Sequence, residues 1–301
     1  MVFYRNVKER YLFLRCFLYL CIDKCISMKT KKVLFINQEI TPYVQESEMA
    51  HLGRVVPQTI QENGYEIRTF MPKWGNINER RGQLHEVIRL SRMMLIIDET
   101  DHPLIIKVAS IPSTRIQVYF IDNEDYFTKR LMGRDEKGNE YDDNGERAVF
   151  FARGVLETVK KLRWIPDVIH CQGWMCSMVP LYIKTAYKDE PSFANTKVVT
   201  SLFSEELKDG LGENFRKSIE FRDVSSSVLD SYNKNFDFLE FEKLAIDYSD
   251  GVVDAGKSTN KEMVEYAKSK GLPFITQPDD SDIYPVYDKF YEEVCAGNGT
   301  K

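Results

Sequence analysis

The strongest constraint on the fold lies near the start of the chain, where apolar runs alternate with one helical repeat. Residues 32–36 are an apolar run typical of a strand buried in a parallel sheet. A 3.6-residue apolar period predicts a helix over 48–63, and Gly64 is placed to end it. Residues 67–71 form a second apolar run. This order of strand, helix, glycine and strand predicts a βαβ unit.

The rest of the chain continues this alternation after a hairpin-rich interruption. Short strands are expected at 85–90, 94–97, 104–111 and 116–121. Further strands are expected at 166–170, 197–203 and 251–254, and helices at 144–162, 180–184, 238–248, 258–270 and 284–294. The polar stretch 204–235 is expected to be a long, mobile loop. The pattern predicts an α/β fold, a Rossmann-like mostly parallel sheet with helices on both faces.

The sequence lacks the motifs of several common binding sites. No GxGxxG follows the first strand and no GxxxxGK[ST] occurs, so neither a dinucleotide site nor a P-loop is supported. The cysteines form no CxxC pair, and only four histidines are present, so no metal site and no cofactor are expected. A net charge of −5 gives no basic field for nucleic acid or anionic membrane.

The ends of the chain need a separate interpretation. Residues 1–27 hold a short apolar run interrupted by Arg15, and Met28 opens a cleaner start. Three alternatives remain open: an over-extended start codon, a membrane-associating helix, or an export signal. We expect 1–27 to lie outside the fold, 28–294 to form one domain and 295–301 to be a tail. Reduced cysteines and weak acidity favour a cytoplasmic protein.

The order of short motifs between residues 30 and 270 carries a family resemblance. The first row reads Gln38-Glu-Ile-Thr-Pro-Tyr-Val-Gln-Glu-Ser-Glu-Met-Ala-His-Leu-Gly-Arg-Val-Val-Pro57. Further on stand Tyr119-Phe-Ile-Asp122 with Tyr126, Asp143-Asn144-x-x-Arg147, and residues 166–170 followed by Trp174. Together they resemble the N-terminal half of bacterial glycogen synthases and plant starch synthases, whose first loop runs Ser-Glu-x-x-Pro and then Lys-Thr-Gly-Gly-Leu.

The resemblance implies one half of a two-domain GT-B glycosyltransferase. Such enzymes bind ADP-glucose or UDP-glucose between two Rossmann domains and add glucose to an α-1,4-glucan with retention of configuration. No residue is assigned a catalytic role. The candidate substrate-binding residues are Gln38, Glu39, Gln45, Asp143, Asn144, Arg147, His170, Gln172 and Trp174. Structural alternatives stay open for several of them: a helix cap for Asp143-Asn144, and core positions for His170 and Trp174.

The sequence departs from the family pattern where the chemistry would lie. The positions of the family's lysine and paired glycines hold Gln45, Ser47 and Glu48, with Glu46 between them, which places two carboxylates where phosphates would approach. The aspartate of the family's His-x-His-Asp-Trp-His segment is Gly173. The histidine that ends a later strand is Phe203, which cannot supply an imidazole hydrogen bond.

These departures lead to two main functional hypotheses. Too few residues follow Lys270 to build a second Rossmann domain. The first hypothesis is therefore a synthase-like glycosyltransferase domain, inactive alone or completed by a partner chain that supplies the second Rossmann domain. The second is a non-catalytic protein that binds glucan or a partner enzyme and regulates it. An unrelated sugar-phosphate-binding domain is a third alternative.

Overall fold

The computed structural model describes residues 31–204, 207–208 and 210–297. Contacts within the chain divide it between Lys31 and Lys32, and the fold described below is that of the second unit. The predicted extension 1–27 lies outside the described residues. The last described helix continues to Ala296, two residues past the predicted domain boundary at 294.

One mixed sheet forms the centre of the described fold. Its ten strands are β1 (Lys32–Asn37), β2 (Glu66–Pro72), β3 (His85–Glu86), β4 (Met93–Ile97), β5 (Thr100–Ser110), β6 (Gln117–Asp122), β7 (Val168–Gln172), β8 (Lys197–Leu202), β9 (Gly251–Asp254) and β10 (Phe274–Thr276). Seven of them run parallel in the order β10-β9-β8-β7-β1-β2-β6. The strand β5 pairs antiparallel with β6, and β3 and β4 pair antiparallel with β5. The mostly parallel sheet with a mixed, hairpin-rich edge confirms the prediction.

Helices cover both faces of this sheet. They are α1 (Glu48–Glu62), α2 (Glu79–Gly82), α3 (Asn144–Leu162), α4 (Met178–Lys184), α5 (Phe215–Ser218), α6 (Phe238–Asp247), α7 (Lys261–Ser269) and α8 (Ile283–Ala296). Alternate residues of β1 belong to different cores, because successive side chains of a strand point to opposite faces. Val33 and Phe35 pack in the core with α1 and α8, whereas Leu34 and Ile36 pack in the core with α3, α4 and α6.

Several predicted elements differ from the observed ones in their bounds, among them the strand expected at 166–170, which spans Val168–Gln172. The strand expected at 85–90 has only two residues, His85–Glu86, and α7 begins at Lys261 rather than at residue 258. The stretch 204–235, expected as one loop, contains α5 and the 3-10 turn Ser226–Ser231. The reason is hydrophobic: Phe215 and Leu229 are buried in the larger core, so the segment has apolar anchors that its polar composition conceals.

The start of α3 corrects the predicted helix cap. The helix begins at Asn144, as expected, but the side chain of Asp143 makes no capping hydrogen bond. Its carboxylate instead forms a bidentate ion pair with the guanidinium of Arg130. Nη1 donates to Oδ2, and Nη2 donates to Oδ1 (2.6 Å). One free N–H of the first turn, that of Gly145, donates to the carbonyl of Leu211 (2.8 Å).

Candidate functional site

The strand order reverses its direction between β1 and β7, and this point locates the candidate site. In open α/β sheets ligands bind outside the carboxyl ends of the strands at such a switch point. A crevice of about 520 Å³ lies at this edge, bounded by residues that follow β2, β6, β7 and β8. Its lining includes Asn76, Met132, Gly133, Arg134, Trp174 and Lys208.

Gln38 connects the loops that surround this crevice. It directly follows β1 and is fully buried. Its side-chain oxygen accepts from the N–H of Met175 (3.2 Å), and its Nε2 donates to the sulfur of Met132 (3.2 Å). Its backbone N–H donates to the carbonyl of Gln172 (2.9 Å), and its carbonyl accepts from Nε1 of Trp74 (2.9 Å). Gln38 therefore ties together the loops after β1, β2, β6 and β7.

Gly173 is the close partner of Gln38. Its backbone has φ 90° and ψ 160°, a region that residues with a Cβ avoid. A Cβ at this position would lie 2.7 Å from Cβ and 2.8 Å from Oε1 of Gln38, and 2.9 Å from the sulfur of Met49. An aspartate, which the family pattern places here, therefore cannot coexist with Gln38 in this conformation.

His170 lies in the core behind the crevice. It is fully buried, and its ring nitrogens are hydrogen-bonded to Tyr291 Oη (Nδ1, 2.8 Å) and to Ser201 Oγ (Nε2, 2.7 Å). Burial lowers the pKa of His170 to about 3, so the imidazole is neutral at physiological pH. Both nitrogens are thus engaged within the protein.

Gln172 lies two residues further along β7 and opposite Asn37 of β1 in the sheet register. Both are buried, and within the described residues neither Gln172 Oε1 nor Asn37 Oδ1 has a hydrogen-bond partner. Asn37 uses its amide group to donate to the carbonyl of Gly53 (3.3 Å). Two buried oxygens without a partner therefore belong to neighbouring residues of β1 and β7 at the switch point, although buried polar atoms are normally paired.

The amino terminus of α1 is occupied by the chain's own side chains. Ser47 caps it by accepting from the N–H of Ala50 (2.9 Å), and the same hydroxyl donates to the carboxylate of Glu39. Burial raises the pKa of Glu39, and hydrogen bonds from Ser47 and Gln38 oppose that rise. Glu48 accepts from the N–H of Lys257 (3.1 Å). The carboxylates of Glu39 and Glu48 therefore already lie at this positive helix end, which disfavours binding of a phosphate there.

The loop that carries Gln45 sits outside this cap. Gln45 and Glu46 are both exposed, and neither forms part of the crevice lining. His51, one turn into α1, lies 3.8 Å from the carboxylate of Glu46 and 3.0 Å from that of Asp280. Gln45, a predicted substrate-binding residue, therefore does not line the crevice in the structure.

Arg147 holds the loop after β6 from within. The side chain is fully buried and donates to the carbonyls of Tyr126 (3.0 Å), Leu131 (2.7 Å) and Met132 (2.5 Å). Burial, with the charge of Arg130 nearby, lowers its pKa to about 9, so it stays charged at neutral pH. It positions the crevice wall and is absent from the crevice lining.

Asn144 has the same positioning role on the other side of this loop. Its Nδ2 donates to the carbonyl of Gly133 (2.9 Å), and its Oδ1 accepts from Arg147 Nη1 (2.9 Å). Asp143, next to it, is paired with Arg130, whose guanidinium stacks on Tyr141 at 4.2 Å. Both candidates of the helix start thus act on neighbouring protein groups.

Trp174 is the sequence-predicted residue that lines the crevice. It follows Gly173, starts the 3-10 turn Trp174–Cys176 and is 6% exposed. A Cβ at Gly133 would lie 3.3 Å from its ring, so the wall opposite the indole has room only for a small residue. Phe203, in place of an expected histidine, is buried at the end of β8.

The residues that hold the predicted ones in place carry no motif in the sequence. Trp74 and Met132 contact Gln38, and Arg130 pairs with Asp143. One signal was available for Trp74, because it follows the carboxyl end of β2, where side chains of α/β sheets meet ligands.

In the described part of the chain, no group of His, Cys, Asp and Glu side chains has the arrangement of a metal site. Cys171 and Cys176 are buried thiols that form no disulfide. None of the helices described is long and apolar enough to cross a membrane.

Comparison with known proteins gives the family. A model of the starch synthase catalytic domain matches residues 32–276. The glycogen synthase of Chlorobium luteolum is 40% identical over 178 residues, which cover 59% of this chain and 36% of that protein. The glycogen synthase of Chlorobaculum parvum is 32% identical over 245 residues, which cover 81% of this chain and 49% of that protein.

A solved structure shows the same fold. The catalytic domain of starch synthase IV from Arabidopsis thaliana, bound to ADP and acarbose, superposes with a TM-score of 0.64 at 16% identity. The match covers 84% of this chain and 53% of that one. The chain belongs to the starch synthase catalytic domain family, as its motifs indicated. It spans about half or less of the length of these curated relatives.

Proposed function

We propose that this chain is a glycogen/starch synthase-like domain that binds an α-1,4-glucan in its carboxyl-edge crevice and does not transfer glucose on its own. The relation between Gln38 and Gly173 carries the proposal. The glutamine side chain lies where a Cβ at residue 173 would stand, so the family's aspartate is excluded. The crevice keeps an indole wall and hydrogen-bonding groups, which suit a sugar chain.

The proposed loss of activity concerns binding of the sugar-nucleotide donor. Sugar nucleotides carry a diphosphate, which needs positive or N–H donor groups that are free to receive it. Here Ser47 already caps α1, and Glu39 and Glu48 accept hydrogen bonds at that helix end. ADP-glucose or UDP-glucose would meet like charge at this point.

The acceptor side is tested by glucan binding. We expect maltoheptaose to bind the purified chain in calorimetry and glycogen to retard it in native gels. Trp174→Ala should weaken binding about tenfold, because aromatic anchors in partly buried pockets dominate such contacts. Trp174→Phe should retain most of the affinity, and thermal melting should show that both variants fold. Equal affinity of Trp174→Ala and the unchanged chain would contradict the proposed location.

A second candidate function is a synthase domain completed by a partner chain. The switch-point crevice favours it, because in two-domain members of this fold class a second domain faces that edge. Incorporation of labelled glucose only after a second Rossmann-domain polypeptide is added would support it over a purely regulatory role. Location in the cytoplasm is part of the same proposal, supported by the buried thiols of Cys171 and Cys176, which form no disulfide.

A further inference from the structure

A second cavity lies at the opposite edge of the sheet, where β2 and β6 begin. It has a volume of about 200 Å³. Among its lining residues are Arg68, Arg115, Gln61, Gln117, Ser110 and Tyr119, and none of the lining residues is an aspartate or glutamate. We propose that this cavity binds a small phosphate monoester, with the phosphate held by Arg68 and Arg115.

Arg68 supplies the fixed half of the site. Its Nη1 donates to the hydroxyl of Tyr119 (2.6 Å), and its guanidinium carbon lies 5.3 Å from the ring centroid of Trp164. Arg68 lines the cavity, and these contacts hold its guanidinium in place there. A fixed guanidinium attracts an oxyanion and donates charge-assisted hydrogen bonds to it.

Arg115 supplies the free half. It lies on the tight turn between β5 and β6, which closes by a hydrogen bond from the N–H of Ile111 to the carbonyl of Ile116 (3.0 Å). The hydroxyl of Thr114 accepts from the N–H of Ile116 (3.1 Å) and donates to the carbonyl of Ile111 (2.9 Å). Arg115 itself is exposed and forms no ion pair with any described residue. Its charge is available to a ligand.

The carboxylate that interacts with Arg68 is that of Glu66, and it is already paired with other groups. Glu66 lies on the same strand, outside the cavity lining. Lys32 forms an ion pair with it at 3.2 Å, and Nε1 of Trp164 donates to its carboxylate. The cavity therefore keeps a net positive charge from its two arginines.

The neutral lining residues define the rest of the ligand. Ser110 and Gln117 are direct partners in the β5–β6 register, and Gln61 reaches the cavity from the end of α1. Hydroxyl and amide groups of this kind hydrogen-bond to hydroxyls as donor and acceptor. The volume is below the 300–1,000 Å³ that is typical for drug-sized ligands, about right for a small polar molecule with one phosphate.

The test uses a hexose monophosphate as the probe, with inorganic phosphate and the free hexose as the other arms. We expect the monoester to raise the melting temperature of the full chain and to broaden its own phosphorus NMR signal at constant ionic strength. Arg115→Gln should weaken binding at least tenfold. Arg89→Gln, an exposed arginine outside the cavity, should leave it unchanged.

Each outcome decides the proposal. Arg115 is exposed, so its variant is expected to fold, and an unchanged melting temperature without ligand verifies that. Equal binding of the monoester by the unchanged chain and Arg115→Gln would overturn the site. Equal affinity for inorganic phosphate and the monoester would overturn the class of ligand and leave a simple phosphate site. Glucan binding at the other edge is measured separately, so neither result depends on the other.

Discussion

The side chain of Gln38 occupies the space into which a Cβ of residue 173 would project. The two positions are 135 apart in the chain, yet Gly173 would place a Cβ 2.7 Å from Cβ of Gln38. The family pattern has a small serine at the first position and an aspartate at the second. This chain has a large side chain at position 38 and none at position 173, so each residue fits the space that the other leaves.

The first prediction concerns this pair. Gly173→Asp should destabilise the fold by about 3 kcal/mol or more, from backbone strain and from the clash with Gln38. Gln38→Ser in the same chain should recover roughly 1–2 kcal/mol of that loss, because only the clash is relieved. Urea unfolding of both single variants and the double variant measures the coupling. Strictly additive effects would show that the two residues do not compete for space.

The second prediction concerns the charge around the start of α1. Glu48→Gln should strengthen ADP binding about fivefold, since one repulsive pair at roughly 4 Å is worth ~1 kcal/mol in water. The glutamine side-chain oxygen can still accept from the N–H of Lys257, so the fold should not change. Calorimetry with ADP is the measurement, and Glu62→Gln at the far end of the same helix is the matched control. A gain of the same size in the control would point to net charge rather than to this site.

The third prediction uses the acid sensitivity of His170. Burial lowers its pKa from 6.5 to about 3, so the neutral form is preferred in the folded state. Its contribution to stability is complete above pH 6.5 and is lost as the pH falls from 6.5 towards 3, by up to ~1.4 kcal/mol per pH unit. Unfolding free energies measured from neutral pH to about pH 4 should fall less steeply in His170→Gln.

Other titrating groups cancel in this comparison. Glu39 and Glu146 have raised pKa values through burial in both proteins, so their contributions are shared. The difference between the two slopes therefore reports His170. Parallel slopes would mean that the imidazole is charged in the folded state or exposed to water.

The fourth prediction tests the buried guanidinium behind the crevice wall. Arg147→Met should destabilise the fold by about 3 kcal/mol, because it frees the carbonyls of Tyr126, Leu131 and Met132 from a charged donor. Arg89→Met on the surface should change stability by no more than ~0.5 kcal/mol. Chemical denaturation distinguishes them. Similar values for the two variants would remove Arg147 from its positioning role.

Local periodicity predicted the elements that are regular in themselves. The strand at Lys32, the helix that starts at Glu48 and the mixed strands after Leu84 follow from patterns of apolar residues a few positions apart. The sequence resemblance likewise indicated the family. Both signals, the apolar periodicity and the order of the motifs, can be read from a single sequence.

Contacts between distant residues were beyond local patterns. Nothing near Asp143 in the sequence indicates that Arg130 takes its carboxylate away from the helix end. The anchoring of Phe215 in the core is equally invisible in a polar stretch. The steric competition between Gln38 and a Cβ at position 173 depends on their proximity in three dimensions, which the spacing of residues along the sequence does not show.

Glucose transfer by the purified chain tests the central claim most directly. The chain is incubated with glycogen and with ADP-glucose or UDP-glucose carrying a radiolabelled sugar, and label in precipitated glycogen is counted. The expected result is no incorporation above a control without protein, under conditions in which glycogen binding is intact. Incorporation by this chain alone, lost when Trp174 is replaced by alanine, would contradict the account.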